Sequence, residues 1–309
     1  MPDTRALLIR IATSGMLLAG CGSGTAVITA APGIGAASAN PPLPATGLRQ
    51  PVPEGAPAVA RALAARWAAA RWHAPAAGAP IAFRVVAYSA IVFNPGTSGG
   101  FTAFLTTRRT VAVSPASAAS IRVSNAGPPR FATPADRLLW EKADRPSLGQ
   151  VPAVGQMQAT AAGDYSFLPE GRSLTYRQAA ALPDVPGRLT TVILTHLRAY
   201  AGRNPPASLT LRQMAFLIAT APLTKAARSA AWQAVASLPG LRICQTWPSP
   251  LQPRHVQLCL ASAGKETLLS VDLGTASILS ISERLLRPSP LYPHVAGGTI
   301  VGSTTFVTT

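Results

Sequence analysis

Hydrophobic and polar positions along the N-terminal half predict one helix followed by a β-hairpin. Residues 57–72 are alanine-rich, with Leu63, Trp67 and Trp72 at near-helical spacing, which favours a helix. Two apolar segments follow at 81–93 and 101–113. In the first, apolar and less apolar side chains alternate, which is typical of a strand with one face only partly buried. A further strand is predicted at 120–123, and one short helix at 135–142.

The C-terminal half shows a helical pattern three times before strands resume. Asp184 is the expected cap of the first helix, and Gly202 follows its end. The second begins near Ser208 or Thr210 and ends before Pro222, and Thr224 caps the third. Strands are then predicted at 241–247, 255–262, 267–273 and 278–286, with a β-rich tail at 299–307.

This order of strands, three helices and strands predicts an α+β fold. We expect a curved antiparallel sheet covered on one face by a helical cluster, in a single domain over residues 57–309. Residues 21–56 are rich in Gly, Ala, Pro and Ser and contain few large apolar residues. Such a segment buries too little surface to offset the entropy of ordering it, so we predict a disordered tether.

Residues 1–20 have the parts of a secretory signal. Arg5 and Arg10 precede the apolar segment 11–20, which is too short to span a bilayer as a helix. Leu18-Ala19-Gly20-Cys21 resembles the lipobox of bacterial lipoprotein signals. The resemblance implies cleavage before Cys21 and attachment of a diacylglycerol to its thiol, so that palmitate-type acyl chains hold the protein on the membrane. A plain signal peptide, or a short anchor with an incidental cysteine, is the alternative.

No later segment has the pattern of a membrane-spanning helix, so we expect a lipid-anchored protein on the extracytoplasmic face of the cell membrane. Its formal net charge is +16, and nearly all of its cations are arginine. A basic surface would attract anionic lipid headgroups, whereas GC-rich coding gives the same composition without a function. The scatter of the arginines along the sequence favours the second interpretation. A nucleic-acid partner is not expected, because no motif combines aromatic and basic residues.

One segment of the chain fits a catalytic pattern, residues 96–100 (GTSGG) around Ser98. A nucleophile elbow needs a strand that runs into a helix, but both flanks of Ser98 are predicted strands. A chymotrypsin-like site needs a base and a carboxylate earlier in the chain, and only His73 precedes Ser98. We therefore interpret Ser98 as a turn residue.

The remaining titratable residues give no sequence pattern for a metal or an acid–base site. The other histidines are His196, His255 and His294, and none has a ligand partner at metal-binding spacing. The 11 carboxylates are thinly spread. We predict no catalytic residue, no metal site and no cofactor.

With Cys21 assigned to lipid, Cys244 and Cys259 remain. Two cysteines in an exported chain favour a disulfide, and two buried free thiols are the alternative. A hairpin around 248–254 that sets Cys244 opposite Cys259 also gathers the apolar residues on the other face. We therefore predict a cross-strand disulfide on the less apolar face.

Three segments resemble an actinobacterial family of membrane-anchored envelope proteins without an established biochemical role. They are 181–189 (ALPDVPGRL), 221–243 (APLTKAARSAAWQAVASLPGLRI) and 268–279 (LLSVDLGTASIL). The hairpin residues 248–254 (PSPLQPR) lack the Asp and Gly-Arg usual in the family. The resemblance covers roughly residues 175–286 and implies kinship of fold and an envelope location.

The sequence combines a lipid anchor, a tether and a substantial core without catalytic groups. This combination favours a non-enzymatic binding or sensing module. Its ligand would be a lipid or an envelope protein, held between the sheet and the helices. The alternative is an envelope hydrolase or transferase with an unrecognised active site. An apolar pocket would favour the first hypothesis, and a titratable cluster within one pocket would favour the second.

Overall fold

The computed structural model of the chain describes residues 37–38, 54–70, 80–94, 99–114, 119–148, 157–159, 165–168, 174–246 and 255–307. Over these residues the helices are α1 (Ala56–Ala69), α2 (Pro134–Lys142), α3 (Tyr176–Ala180), α4 (Pro186–Ala201), α5 (Ala207–Thr220) and α6 (Lys225–Ala236). The strands are β1 (Ala37–Ser38), β2 (Ile81–Phe93), β3 (Phe101–Val113), β4 (Ser120–Asn125), β5 (Arg130–Phe131), β6 (Met157–Ala159), β7 (Arg242–Thr246), β8 (His255–Ser262), β9 (Lys265–Asp272), β10 (Ser277–Leu285) and β11 (Ile300–Val307).

Nine of these strands form one open antiparallel sheet in the order β6-β4-β3-β2-β11-β10-β9-β8-β7. The two-residue strands β1 and β5 pair with β2 and β3 outside this path. The last strand, β11, lies between β2 and β10, so it joins the strands of the N-terminal half to those of the C-terminal half. Bulges interrupt the register within β10 and β7, and such bulges bend a sheet.

The helices cover one face of this sheet, which confirms the predicted α+β class. Ile81, Phe83 and Val85 of β2 belong to the same buried cluster as the apolar residues of α1, α4, α5 and α6. The rings of Phe83 and Phe216 meet edge to face with their centroids 6.5 Å apart. Side chains at every second position of the strands therefore form the core together with the helices.

The element boundaries follow the sequence pattern closely in most places. The strands β2 and β3 have the predicted bounds, and the Thr224 hydroxyl accepts a hydrogen bond from the Ala227 amide at the start of α6. The predicted cap of α4 is wrong: the residue before its first turn is Val185, without a side-chain cap, and Pro186 begins the helix. Because proline has no amide hydrogen, this first turn has one fewer group to cap.

Loops and a helix also shield the end of the sheet near the β2–β3 connection. Tyr292 and Val295, from the loop that follows β10, pack on Ala90, Val92 and other apolar residues on the side of β2 opposite the main helical core. Helix α2 packs against the other side of the same strand ends, around Phe93. Among the described residues, no helix has the length and apolar character needed to cross a membrane.

Candidate functional site

The predicted site residues fall into two groups. Cys21 lies outside the described residues, as do Ser98 and His73. Cys244 and Cys259 are joined as a disulfide, with their Cα atoms 5.9 Å apart. Cys259 is fully buried but does not belong to the helix-side core that contains its neighbours Leu258 and Leu260. The pairing and its face therefore agree with the prediction.

The predicted register of this hairpin is wrong. Cys259 lies opposite Arg242, and the register then shifts so that Gln245 pairs with Gln257. Cys244 is thus the extra residue of a bulge. Directly opposed Cβ atoms are slightly too far apart for a disulfide in an antiparallel pair, and the bulge frees Cys244 from that constraint.

A buried carboxylate, Glu266, lies beside the disulfide. Its two oxygens accept hydrogen bonds from the guanidinium groups of Arg242 and Arg284, and Oε1 is 3.6 Å from the Cys244 sulfur. The two sulfurs and the carboxylate lie within 4.8 Å of one another. This set resembles a metal site in composition, but sulfurs bonded to each other are not thiolate ligands. The cluster is an ion-paired support for the hairpin.

A second buried carboxylate, Asp136, forms a pair with His294. Asp136 is the third residue of α2, where it completes a capping box with Thr133. It also accepts a hydrogen bond from the backbone amide of Thr102, and its Oδ1 is 2.9 Å from Nδ1 of His294. Asp136 is fully buried, whereas the His294 side chain is 47% exposed. A carboxylate that orients an accessible imidazole is the arrangement of a general base.

This pair was missed by sequence reasoning because its members are 158 residues apart. The spacing from Thr133 to Asp136 signals a capping box, but nothing in the sequence near His294 indicates its partner. A hydrolase that forms a covalent intermediate also needs a side-chain nucleophile. Among the described residues, the only hydrogen bond that the structure gives the His294 ring is the one to Asp136, so no described hydroxyl or thiol is hydrogen-bonded to it.

A third buried carboxylate, Glu283, accepts a hydrogen bond from Arg212 of α5 and lies 3.9 Å from the ammonium group of Lys265. Each of the three carboxylates that are buried in the described structure therefore has a cationic or imidazole partner within the fold.

On the helix side of the sheet, burial lowers the pKa of the Arg109 guanidinium and raises the pKa of the Tyr165 hydroxyl.

In the described part of the chain, aromatic rings pack against one another between the sheet and the helices, where a ligand was expected. Phe83 contacts Tyr165 and Phe216, and Phe216 contacts Phe306, with centroid separations of 6.1–6.5 Å. A shallow groove of about 410 Å³ lies instead between α1 and α6. It is lined by alanines and by polar side chains that include Arg61, Ser229 and Gln233.

The face of the sheet away from the helices has a different character, and we call it the open face. It carries Arg84, Val86, Tyr88, Thr106, Arg108, Thr110, Arg122, Ser124, Ser280, Ser282, Ser303 and Thr305. All of these side chains are at least partly exposed. Arg130 lies at its margin, where its charge opposes the rise in the pKa of Tyr88 that burial causes. The open face is therefore polar, basic and accessible.

Comparison of the chain with protein-family models, with curated proteins and with solved structures finds no match.

Proposed function

We propose that the protein is a lipid-anchored binding module on the extracytoplasmic face of the cell membrane, and that the open face is its binding surface. The observation that carries the proposal is the contrast between the two sides of the sheet. On the helix side the described residues form a buried apolar core with packed aromatic rings, while the other side leaves hydroxyl and guanidinium groups exposed. The lipobox resemblance at Cys21 and the envelope-family resemblance of residues 175–286 support the location.

Native mass spectrometry of the protein extracted from its own membrane tests the binding function. A co-purifying lipid or envelope protein, lost when residues of the open face are substituted, would support it. A ligand whose retention depends instead on residues of the α1–α6 groove, such as Gln233, would contradict the assignment to the open face.

Replacing Cys21 by alanine will release the protein from the membrane fraction or leave it as an uncleaved precursor. Each buried methylene of an acyl chain contributes about 0.8 kcal/mol to membrane binding, and the variant has no thiol to carry the diacylglycerol. Fractionation after a high-salt wash, with mass spectrometry of the N-terminus, measures the outcome. The double variant Cys244→Ala/Cys259→Ala is the matched control and stays membrane-bound. A correctly cleaved Cys21→Ala protein that remains in the washed membranes would refute the anchor.

The second candidate function is an envelope hydrolase, and the Asp136–His294 pair is the observation that favours it. In such an enzyme the His294 imidazole would take a proton from water or from a hydroxyl nucleophile, while Asp136 holds its orientation. This function requires measurable turnover of an ester, amide or glycoside by the wild-type protein.

Replacing His294 by alanine separates a structural role from a catalytic one. We expect a loss of less than about 1 kcal/mol in the free energy of unfolding, because the His294 side chain is half exposed and the buried Asp136 keeps its hydrogen bonds from Thr102 and Thr133. If the pair is catalytic, the same folded variant loses about 100-fold or more in turnover. Chemical denaturation and ester-hydrolysis assays measure the two effects. Equal turnover by the wild type and by His294→Ala would exclude the pair as the catalytic base.

A further inference from the structure

Three arginines that are distant in the sequence meet on the open face. Arg84 in β2 and Arg122 in β4 both lie opposite Thr110 of the intervening strand β3. Arg108 of β3 lies two residues before Thr110, so its side chain is on the same face. With neighbouring strands about 4.8 Å apart, the three side chains arise within a patch about 10 Å across. We call these residues the arginine cluster.

The arginine cluster has no acidic counterpart in the described part of the chain. All three side chains are exposed, and none of them lies within ion-pair distance of a described carboxylate. The carboxylates that are buried in the fold, Asp136, Glu266 and Glu283, pair elsewhere. Like charges held close together repel one another, so an external anion that binds to them relieves this repulsion.

The surroundings of the cluster fit an extended anionic surface better than a small ligand. Thr110 and Ser124, between the arginines, are short polar residues on a sheet and form no walls around them. Val307, which is 44% exposed, lies opposite Arg84 on the next strand. An accessible apolar side chain beside basic ones is typical of segments that lie at a membrane interface.

We propose that the arginine cluster docks the domain on a bilayer by binding the phosphate groups of anionic phospholipids. The guanidinium group presents a planar set of donors that matches phosphate oxygens, and anionic membranes attract basic surfaces. This inference rests on the proposed function, and it names the partner of the open face as the membrane that carries the anchor.

The anchor makes such a weak contact effective. Between Cys21 and the first residue of β1, Ala37, which pairs with Ile81 of β2, there are 15 residues. A tether of that length, as predicted from its composition, would have a root-mean-square span of about 20 Å. The domain would then remain at a high effective concentration near the headgroups, so that a few phosphate contacts suffice. Docking would orient the helical side toward the envelope space.

The experiment uses the mature chain from residue 21 with Cys21→Ser, so that no acyl chain contributes. Its cosedimentation is measured with vesicles of phosphatidylcholine alone and with vesicles that also contain phosphatidylglycerol, at low and at high salt. We expect binding only to the anionic vesicles, weakened by salt. A basic residue near such a surface contributes about five-fold in affinity, so Arg84→Gln/Arg108→Gln/Arg122→Gln loses on the order of 100-fold.

The matched control removes the same charge from the helical side, in the variant Arg188→Gln/Arg198→Gln/Arg203→Gln. These residues are exposed and have no ion pair among the described residues. We expect the control to keep most of the affinity, and both variants to keep the circular dichroism spectrum and melting temperature of the parent. A similar loss in both variants would reduce the effect to net charge and overturn the proposal.

Two other results would overturn it as well. One is the absence of binding of the parent chain to anionic vesicles. The other is tight binding of soluble polyglutamate without vesicle binding, which would assign the cluster to an acidic protein partner. Neither result depends on the anchor, because the vesicle experiment uses a chain without acyl groups. The fractionation of Cys21→Ala in cells tests the anchor separately.

Discussion

Replacing Arg228 by alanine will lower the free energy of unfolding by about 4 kcal/mol. The Arg228 side chain is fully buried in α6 and donates hydrogen bonds to the carbonyl oxygens of Ile218 and Ala221, both at 3.2 Å, and of Leu223. These carbonyls lie at and just after the C-terminal end of α5. The variant leaves them without this donor and opens a cavity. Urea denaturation measures the loss.

The position of Arg228 explains why a cation is tolerated there. A positive charge is favoured at the C-terminal end of a helix, where the carbonyl groups lack partners within the helix. The guanidinium also lies over the ring of Trp67 in α1, 4.8 Å from its centroid. One side chain thus connects α1, α5 and α6.

Arg228→Met separates packing from charge, because it fills much of the same volume without a charge. We expect a smaller loss of about 2 kcal/mol, since the carbonyl groups lose a donor but the cost of burying a cation disappears. A loss as large as that of the alanine variant would mean that the charge itself stabilises the fold.

The pH dependence of the same comparison follows from the pKa of Arg228, which burial lowers from 12.5 to about 9. Below about pH 9 the residue is charged in both states, and the folded state carries the desolvation cost. Above it the folded state releases a proton that the unfolded chain keeps, so stability rises with pH. Relative to Arg228→Met, the wild type should gain about 1.4 kcal/mol per pH unit from about pH 9 to 11. A difference that stays flat over this range would contradict the lowered pKa.

Local features of the fold could be predicted from the sequence. The alternation in β2 and the turn residues after it determine a hairpin with the observed ends, 81–93 and 101–113. Thr224 caps α6 because its hydroxyl accepts from an amide only three residues away. These features depend on neighbouring residues, where period and capping chemistry act directly.

Long-range features could not be predicted in the same way. The pattern at 299–307 predicts a strand, but its place between β2 and β10 depends on pairing with strands that include the distant β2. Helix α3 has only five residues, too few for a helical period to be visible. The Asp136–His294 pair likewise arises from the packing of a loop on the end of the sheet.

The position of charged residues on the surface also depends on contacts between distant parts of the chain, as the arginine cluster shows. Along the sequence the arginines are scattered, which favours a compositional origin. On the sheet, antiparallel pairing brings Arg84, Arg108 and Arg122 to one patch, because residues on adjacent strands align at every second position. Arginines that are scattered along the sequence can therefore lie together on the surface. Whether the net charge forms a basic patch depends on the strand register.

Replacing both Cys244 and Cys259 by alanine will lower the free energy of unfolding by about 3 kcal/mol. The disulfide joins residues 15 positions apart, and closing a loop of this size restricts the unfolded chain by about that amount. Denaturation of the oxidised wild type and of the variant, without reductant, measures the difference.

A second effect separates the two cysteines, because Cys259 is fully buried and Cys244 is only half-buried. Both single serine variants lose the disulfide, but Cys259→Ser also buries a hydroxyl, so it should lose about 1 kcal/mol or more beyond Cys244→Ser. Reduction of the wild type should reproduce the loss of the double alanine variant, because both leave the unfolded chain unconstrained. If the double variant is as stable as the oxidised wild type while reduction has no effect, the disulfide does not stabilise this hairpin.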